Sequence, residues 1–132
     1  MKRTVLLCVA TALLLLVPAG SALAEGDTHT LTGEYHWTER GAKGELEAIF
    51  TPTGKGTWDV SFNFEFRGRA HTYSGTAEGS LTEGALSGTV LNDDKRRTFK
   101  FSGAFEDGTF SGTHSEMRDN GEAATGSMSL GG

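Results

Sequence analysis

The chain has 132 residues, a formal net charge of −5, 36% hydrophobic residues and one cysteine. This length limits it to one small domain, and the acidic balance excludes a protein that holds a nucleic-acid backbone through an excess of basic residues. A single cysteine excludes a fold that depends on internal disulfides.

Residues 1–24 have the pattern of a secretory signal peptide. Lys2 and Arg3 form a short positive region, residues 5–17 are almost entirely apolar, and Ala22 and Ala24 are small residues where signal peptidase cleaves. The apolar run is shorter than the ~20 residues that a membrane-spanning helix needs. We therefore expect cleavage after Ala24, a secreted or periplasmic protein, and no stable membrane anchor after cleavage.

The remaining residues, 25–132, are predicted to form a single domain. Removing the leader takes away Lys2, Arg3 and the only cysteine, Cys8, which leaves 108 residues with a net charge of −7. No internal disulfide supports this exported chain, so a packed apolar core must stabilise it.

Eight segments of this domain alternate between apolar and polar residues, which is the period of a strand with one buried face. All twelve aromatic residues fall on that face, with Ala124 and other small residues, while Thr125, Ser127 and Ser129 belong to rows predicted to point outward. In chain order the segments span residues 31–37, 46–50, 58–66, 71–78, 86–90, 99–105, 110–116 and 124–130.

The connections between these segments are short and rich in turn-forming residues. Asp107-Gly108 and Asn120-Gly121 are pairs favoured where both central residues of a hairpin need positive φ. Tight hairpins force neighbouring strands to pair antiparallel. The sequence therefore predicts an all-β fold, an eight-stranded antiparallel meander that closes into a small up-and-down barrel. A two-layer β-sandwich is the alternative, and an outer-membrane barrel with its aromatic face toward lipid is a further one.

Glycine recurs on the aromatic face of four segments, within the pattern apolar-Ser-Gly. Its positions are Gly75, Gly88, Gly103 and Gly112. A glycine inside a strand indicates a bend or a close approach by a neighbour. These glycines either make room for aromatic rings of adjacent strands or form the floor of a ligand site.

The candidate site residues are inward-facing polar and aromatic side chains. His71 and Tyr73 share the inner face of one strand, and His114 and Glu116 share that of another. Imidazole and carboxylate groups suit zinc or iron or general acid–base chemistry, but no nucleophile or oxyanion motif accompanies them. We predict no catalytic residue, no metal site and no cofactor. The candidate ligand-binding residues are Tyr35, Trp37, Trp58, His71, Tyr73, His114 and Glu116.

The residues Leu31-Thr32-Gly33-Glu34-Tyr35-His36-Trp37, followed by strands punctuated by glycine, resemble the start of a calycin-type barrel, the group of lipocalins and avidins. Those families have Gly-x-Trp near this point, whereas this chain has Gly-x-Tyr-x-Trp. The resemblance implies an up-and-down barrel that binds a small apolar molecule, and as a fold-level analogy it bears on function only indirectly.

Three functions follow from these observations. The first, which we predict, is an exported non-enzymatic barrel that binds a small hydrophobic molecule or a partner protein, with no nucleic-acid partner. The second is a purely structural or interaction protein whose barrel is filled by its own side chains. The third is a metal-binding or enzymatic barrel that uses His71, Tyr73, His114 and Glu116. An interior cavity favours the first and a filled interior the second, because an eight-stranded barrel has room for side chains or for one small ligand.

Overall fold

The computed structural model describes residues 27–131, and the predicted signal peptide lies outside the described residues. A 3-10 turn, Thr38–Arg40, joins the first two strands. No helix within residues 27–131 is long and apolar enough to span a membrane. The strands are β1 His29–Trp37, β2 Ala42–Gly54, β3 Thr57–Phe66, β4 Arg69–Gly79, β5 Gly84–Leu91, β6 Thr98–Glu106, β7 Thr109–Arg118 and β8 Gly121–Gly131.

The eight strands form one closed antiparallel barrel. Each strand pairs with the next along the chain, and β1 also pairs with β8, where Gly33 lies opposite Leu130. The predicted eight-stranded meander that closes into a barrel is confirmed, and the sandwich alternative is wrong. Closure pairs the two strands that would otherwise be exposed edges.

Four of the hairpins turn through only two residues, and in two of them both of these residues have positive φ. Arg67 and Gly68 have φ of 55° and 78°, and Asp107 and Gly108 have φ of 54° and 81°. Two successive positive φ values define the turn whose twist matches that of the flanking strands. The sequence predicted this turn at Asp107-Gly108, and Arg67-Gly68 adopts the same conformation. The prediction of two positive φ values at Asn120-Gly121 is wrong, because only Gly121 has a positive φ there.

Apolar side chains from every strand fill the inside of the barrel. Nine of the twelve aromatic residues are buried there, and Trp58, Phe64 and Phe66 are partly buried against them. The prediction that all the rings share one face is confirmed. The rings point inward, which is the reverse of the orientation that the outer-membrane alternative requires.

The inward glycines lie where neighbouring groups come closest. A Cβ atom on Gly103 would collide with the carbonyl oxygen of Ser111 on the adjacent strand, and one on Gly88 would lie 2.7 Å from the ring of Phe101. These positions therefore admit the backbone and the rings of adjacent strands, as the first of the two interpretations predicted.

One irregularity in the sheet reverses the predicted orientation of two residues. The pairing of β7 with β8 shifts register after His114, which lies opposite Gly126, while Ser115 lies opposite Ala124. Thr125 is the extra residue of this β-bulge, and its side chain is fully buried, whereas Ala124 is exposed. The prediction that Ala124 points inward and Thr125 outward is wrong, because a bulge inserts one residue into the alternation.

Candidate functional site

One end of the barrel, which we call the mouth, carries the connections at residues 38–41, 67–68, 92–97 and 119–120. In an up-and-down meander every second connection falls at the same end. Six of the seven candidate residues lie in the half of the barrel nearer the mouth: Tyr35, Trp37, His71, Tyr73, His114 and Glu116.

Trp58 lies at the opposite end of the barrel, so the fold does not bring it together with the other six. Its indole Nε1 donates a hydrogen bond to the Gly79 carbonyl oxygen at 3.0 Å. Its ring also meets His29 edge to face, with the ring centroids 5.7 Å apart. These contacts give Trp58 a structural role in closing that end.

The space inside the barrel is small. An internal cavity of about 60 Å³ lies among rings that include Trp37, Phe62, Tyr73 and Phe99. Pockets that bury a ligand of drug size typically measure about 300–1,000 Å³, whereas one water needs only about 10–15 Å³. The interior can therefore hold a few water molecules, and it is otherwise filled by side chains.

A larger groove of about 330 Å³ opens at the mouth. Its walls combine aromatic rings with charged side chains from the first three mouth connections, and Trp37 and Tyr73 line both this groove and the internal cavity. The groove is lined by Trp37, Arg40, Phe64, Phe66, Arg69, Ala70, His71, Tyr73, Asn92, Asp93, Asp94 and Arg97.

Trp37 is the central ring of the mouth. The guanidinium carbon of Arg40 lies 5.0 Å from the ring centroid of Trp37, and that of Arg97 lies 5.7 Å from it. Both distances fall within the range of cation–π attraction. The indole Nε1 of Trp37 is buried and has no hydrogen-bond partner within the described residues.

Glu116 is buried at 7% exposure and is fully engaged by arginines. Arg97 donates two hydrogen bonds to its carboxylate, at 2.7 and 2.9 Å, and Arg118 donates another at 3.0 Å. The hydrogen bond from Arg97 is the largest of the effects that lower the pKa of Glu116, to about 2. Glu116 therefore holds Arg97 in place rather than pointing a free carboxylate at a ligand.

Hydrogen bonds within the loop at residues 92–97 fix the position of Arg97. The side-chain oxygen of Asn92 accepts hydrogen bonds from the backbone N–H groups of Arg96 and Arg97, at 3.0 and 2.9 Å. The backbone closes the loop as well, since Lys95 donates to the Asn92 carbonyl oxygen at 2.8 Å. Hydrogen bonds from its own backbone thus hold this hairpin connection in shape.

His114, on β7, forms hydrogen bonds with one residue of β8 and one residue of β1. Its Nε2 lies 3.1 Å from the His36 carbonyl oxygen, to which it donates, and its Nδ1 lies 2.6 Å from the Thr125 hydroxyl. Burial lowers the pKa of His114. The bulge that turns Thr125 inward supplies this partner.

His71 lies apart from His114 and has other partners. Its Nδ1 is 3.5 Å from the Asp93 carboxylate, and its ring stacks on Phe64 with the centroids 5.7 Å apart. Within residues 27–131, no group of three or more His, Cys, Asp or Glu side chains converges as a metal site would require. The four residues of the metal-binding or enzymatic hypothesis therefore do not form one ligand set.

The two candidate tyrosines are placed differently. The Tyr35 hydroxyl donates to the Glu65 carbonyl oxygen at 2.7 Å, which ties β1 to the end of β3. The Tyr73 ring packs against Phe99 at 5.2 Å between centroids. Burial raises the pKa of both hydroxyls, which are therefore neutral hydrogen-bonding groups.

The arginines of the mouth are not among the candidate residues that the sequence predicted. Every arginine of residues 27–131 lies at the mouth: Arg40, Arg67, Arg69, Arg96, Arg97 and Arg118. The available signal was their position, because all of them stand in or beside alternate connections of a predicted meander.

The outer wall of the barrel carries two further concavities, of about 940 and 1300 Å³. They are open grooves along the twisted strands, and the first is lined largely by outward residues such as Thr89, Ser102 and Thr113. Neither combines several aromatic rings with an unpartnered buried donor, so the mouth groove is the better candidate site.

Comparison with known proteins supports the barrel fold and assigns the chain to no family. No protein-family model and no curated protein matches the chain. A solved structure described as a redesigned beta barrel is similar to it, with a TM-score of 0.56 and 14% identity over 82% of this chain and 90% of that one. At this identity the similarity supports the barrel fold alone.

Proposed function

We propose that this chain is an exported, non-enzymatic binding protein that holds a small molecule in the groove at its mouth. The observation that carries the proposal is the contrast between a groove of about 330 Å³ and an interior of about 60 Å³. Ligand sites are concave, largely aromatic or apolar, and equipped with a few polar groups. The groove has this composition, with Trp37, Phe66 and Tyr73 beside Arg40.

The calycin resemblance of the sequence, which remains a prediction, implies a ligand inside the barrel. In this chain Phe62, Phe101 and their neighbours occupy that space. The same class of ligand, a small molecule with an apolar body, fits the mouth groove instead.

The buried N–H of Trp37 indicates which further group the ligand carries. A buried donor without a partner costs about 1–3 kcal/mol, and the indole Nε1 of Trp37 is such a donor among the described residues. Trp37 also lines the groove, so a bound ligand whose acceptor reached this N–H would recover the energy.

The non-enzymatic part of the proposal is supported by the partners of the titratable groups. Glu116 is held by Arg97 and Arg118, and His114 is held by Thr125 and His36. Groups engaged in this way are poorly placed to exchange protons with a substrate, which general acid–base catalysis requires.

Export is supported by residues 1–24, where the positive start, the apolar run and Ala22 and Ala24 follow the signal-peptide pattern. Mass spectrometry of the protein recovered from outside the cytoplasm of its host tests this directly. We expect a mature chain that begins at Glu25, and a chain that retains Met1 would contradict it.

Titration of the purified protein with the neutral fluorescent probe N-phenyl-1-naphthylamine tests the site. We expect saturable binding that Phe66→Ala weakens about tenfold, the effect of losing one aromatic contact. Leu81→Ala is the matched control, because Leu81 is partly buried in a connection at the opposite end. Absence of binding by the folded protein, or an equal loss in both variants, would overturn the site and favour the filled barrel as an interaction protein.

A further inference from the structure

We infer that the mouth groove selects a molecule that carries an oxyanion, such as a carboxylate, sulfonate or phosphate group, next to its apolar body. This inference rests on the proposed function and names the ligand class of the same site. Two observations support it. The two ends of the barrel differ in charge, and some residues that line the groove have hydrogen-bond donors without a partner among the described residues.

The two ends of the barrel differ in charge. The connections at the mouth carry five basic residues (Arg40, Arg67, Lys95, Arg96 and Arg97) and four acidic ones (Glu39, Asp93, Asp94 and Asp119), whereas those at the other end carry Glu83 and Asp107 with Lys55 as their one basic residue. The predicted mature chain is acidic overall, so its long-range field repels anions. A local concentration of guanidinium groups makes the mouth the part of the surface that attracts an anion.

Two of the groove arginines are free to bind a ligand. Arg97 is paired with Glu116, whereas Arg40 and Arg69 form no ion pair within the described part of the chain. Both are exposed, and both line the groove. They are therefore cations without an internal counterion at the edge of an aromatic floor.

Two acidic residues, Asp93 and Asp94, line the groove together with the arginines. The Asp93 carboxylate lies 3.5 Å from His71 Nδ1. Asp94 accepts a hydrogen bond from the Arg96 backbone N–H at 3.1 Å. Both carboxylates keep their negative charge, and the groove lining therefore sets three arginines against two aspartates.

Two guanidinium groups converge from opposite sides of the mouth, that of Arg40 without an ion pair within residues 27–131 and that of Arg97 with Nε and Nη2 bound to Glu116. Arg40 follows β1 and Arg97 precedes β6, so in a closed ring of eight strands their connections face each other across the opening. Both guanidinium groups reach the ring of Trp37, whose own N–H has no acceptor among the described residues. An oxyanion accepts several hydrogen bonds at once, and the planar guanidinium fork matches its geometry.

A matched pair of probes tests the inference. The anionic probe 8-anilinonaphthalene-1-sulfonate and the neutral N-phenyl-1-naphthylamine share one ring system and differ by a sulfonate. We expect the anionic probe to bind about tenfold more tightly, since a hydrogen bond to a charged group contributes at least about 1.4 kcal/mol. Raising the salt concentration should weaken the anionic probe alone.

Charge-matched variants locate the effect. Arg40→Gln should abolish the preference for the anionic probe, and Arg69→Gln should reduce it. Arg96→Gln removes the same charge from the protein, but Arg96 lies outside the groove lining. This variant should therefore still bind the anionic probe more tightly than the neutral one. Arg40→Lys retains a positive charge and should therefore keep part of the preference for the anionic probe. Near-ultraviolet circular dichroism verifies that each variant is folded.

The indole resonances provide a readout that does not depend on affinity. In a ¹H–¹⁵N spectrum, the anionic probe should shift the Trp37 indole signal and leave that of Trp58, which already donates to Gly79. Equal binding of the two probes, or a preference that survives Arg40→Gln, overturns the oxyanion inference while leaving the mouth site intact. Failure of both probes to bind the folded protein overturns the proposed function itself.

Discussion

Arg97 binds both carboxylate oxygens of Glu116, with Nε donating to Oε2 at 2.7 Å and Nη2 donating to Oε1 at 2.9 Å. The pair joins the loop at residues 92–97 to β7. Arg118 extends it by donating to Glu116 at 3.0 Å and to Glu39 at 2.7 Å. One network of charges therefore links two of the four mouth connections, at Glu39 and Arg97, to the end of β7, and it fixes this part of the rim of the proposed site.

Glu116→Gln should destabilise the fold. The substitution keeps the shape of the side chain but leaves Arg97 and Arg118 facing a neutral amide, and we expect the free energy of unfolding to fall by about 1–3 kcal/mol. Urea denaturation measures the loss. Glu83→Gln, on an exposed side chain at the opposite end, should change it by less than about 0.5 kcal/mol, and equal effects of the two variants would contradict a structural role for the pair.

The same carboxylate predicts acid sensitivity at low pH. The pKa of Glu116 is lowered from 4.5 to about 2 in the folded protein, chiefly by Arg97, so the unfolded chain binds a proton first. The stability that this group contributes is fully present above about pH 4.5 and is lost as the pH falls toward 2. The stability difference between the wild type and Glu116→Gln should therefore narrow between about pH 6 and 2.5; a constant difference would refute this.

His114 predicts a second loss of stability, closer to neutral pH. Burial lowers its pKa below 6.5, so the unfolded chain takes up a proton before the folded one does. The contribution is fully present above pH 6.5 and declines as the pH falls below that value. His114→Gln should flatten the dependence of unfolding free energy on pH between about 7.5 and 5.5. The slope is the readout, and an unchanged slope would assign the effect to another group.

Phe62→Ala tests the aromatic core. Phe62 is 4% exposed, and its ring meets those of Phe101 and Phe50 edge to face, at 5.1 and 6.4 Å between centroids. Removing it should cost about 3–5 kcal/mol in unfolding free energy. Ser61→Ala, at the adjacent residue on the other side of the strand, should cost less than about 0.5 kcal/mol. A loss below about 1 kcal/mol for Phe62→Ala would argue against the inward orientation of this ring.

Gly103→Ala tests the close approach of two strands. Its methyl group would collide with the Ser111 carbonyl oxygen on β7, and backbone atoms can move away only by distorting the ladder. We expect a loss of about 1–3 kcal/mol, as for other overpacked sites. Gly131→Ala is the control, because a Cβ there has open space. If thermal denaturation shows both variants to be equally stable, the tight contact between β6 and β7 is not needed for folding.

Much of the fold could be predicted because alternation is a local property of the chain. The run from Trp58 to Phe66 identified a strand and its buried face, and Asp107-Gly108 identified a hairpin that turns through two residues. The bulge at Thr125 could not be predicted in this way, since an extra residue in a strand becomes visible only through the partner it faces.

The candidate site was predicted only in part. Trp37 and Tyr73 were selected as inward-facing aromatic residues, and both line the mouth groove, but Glu116 was expected to face a ligand and is instead paired with Arg97. Arg40 was not among the predicted site residues. Its guanidinium lies over the ring of Trp37, and this contact cannot be recognised from the residues next to Arg40 in the sequence.

Periodicity was enough to predict the strands and their buried face, and the turn-forming residues predicted the antiparallel order, because both depend on neighbours that are close along the chain. The choice of a closed barrel over a sandwich, the size of its interior and the convergence of Arg40 and Arg97 on Trp37 came only from the folded structure. The physical reason is separation along the chain: closure pairs β1 with β8, and the groove joins connections that are distant in sequence. Such contacts depend on the curvature of the whole sheet and leave no periodic signal in any one segment.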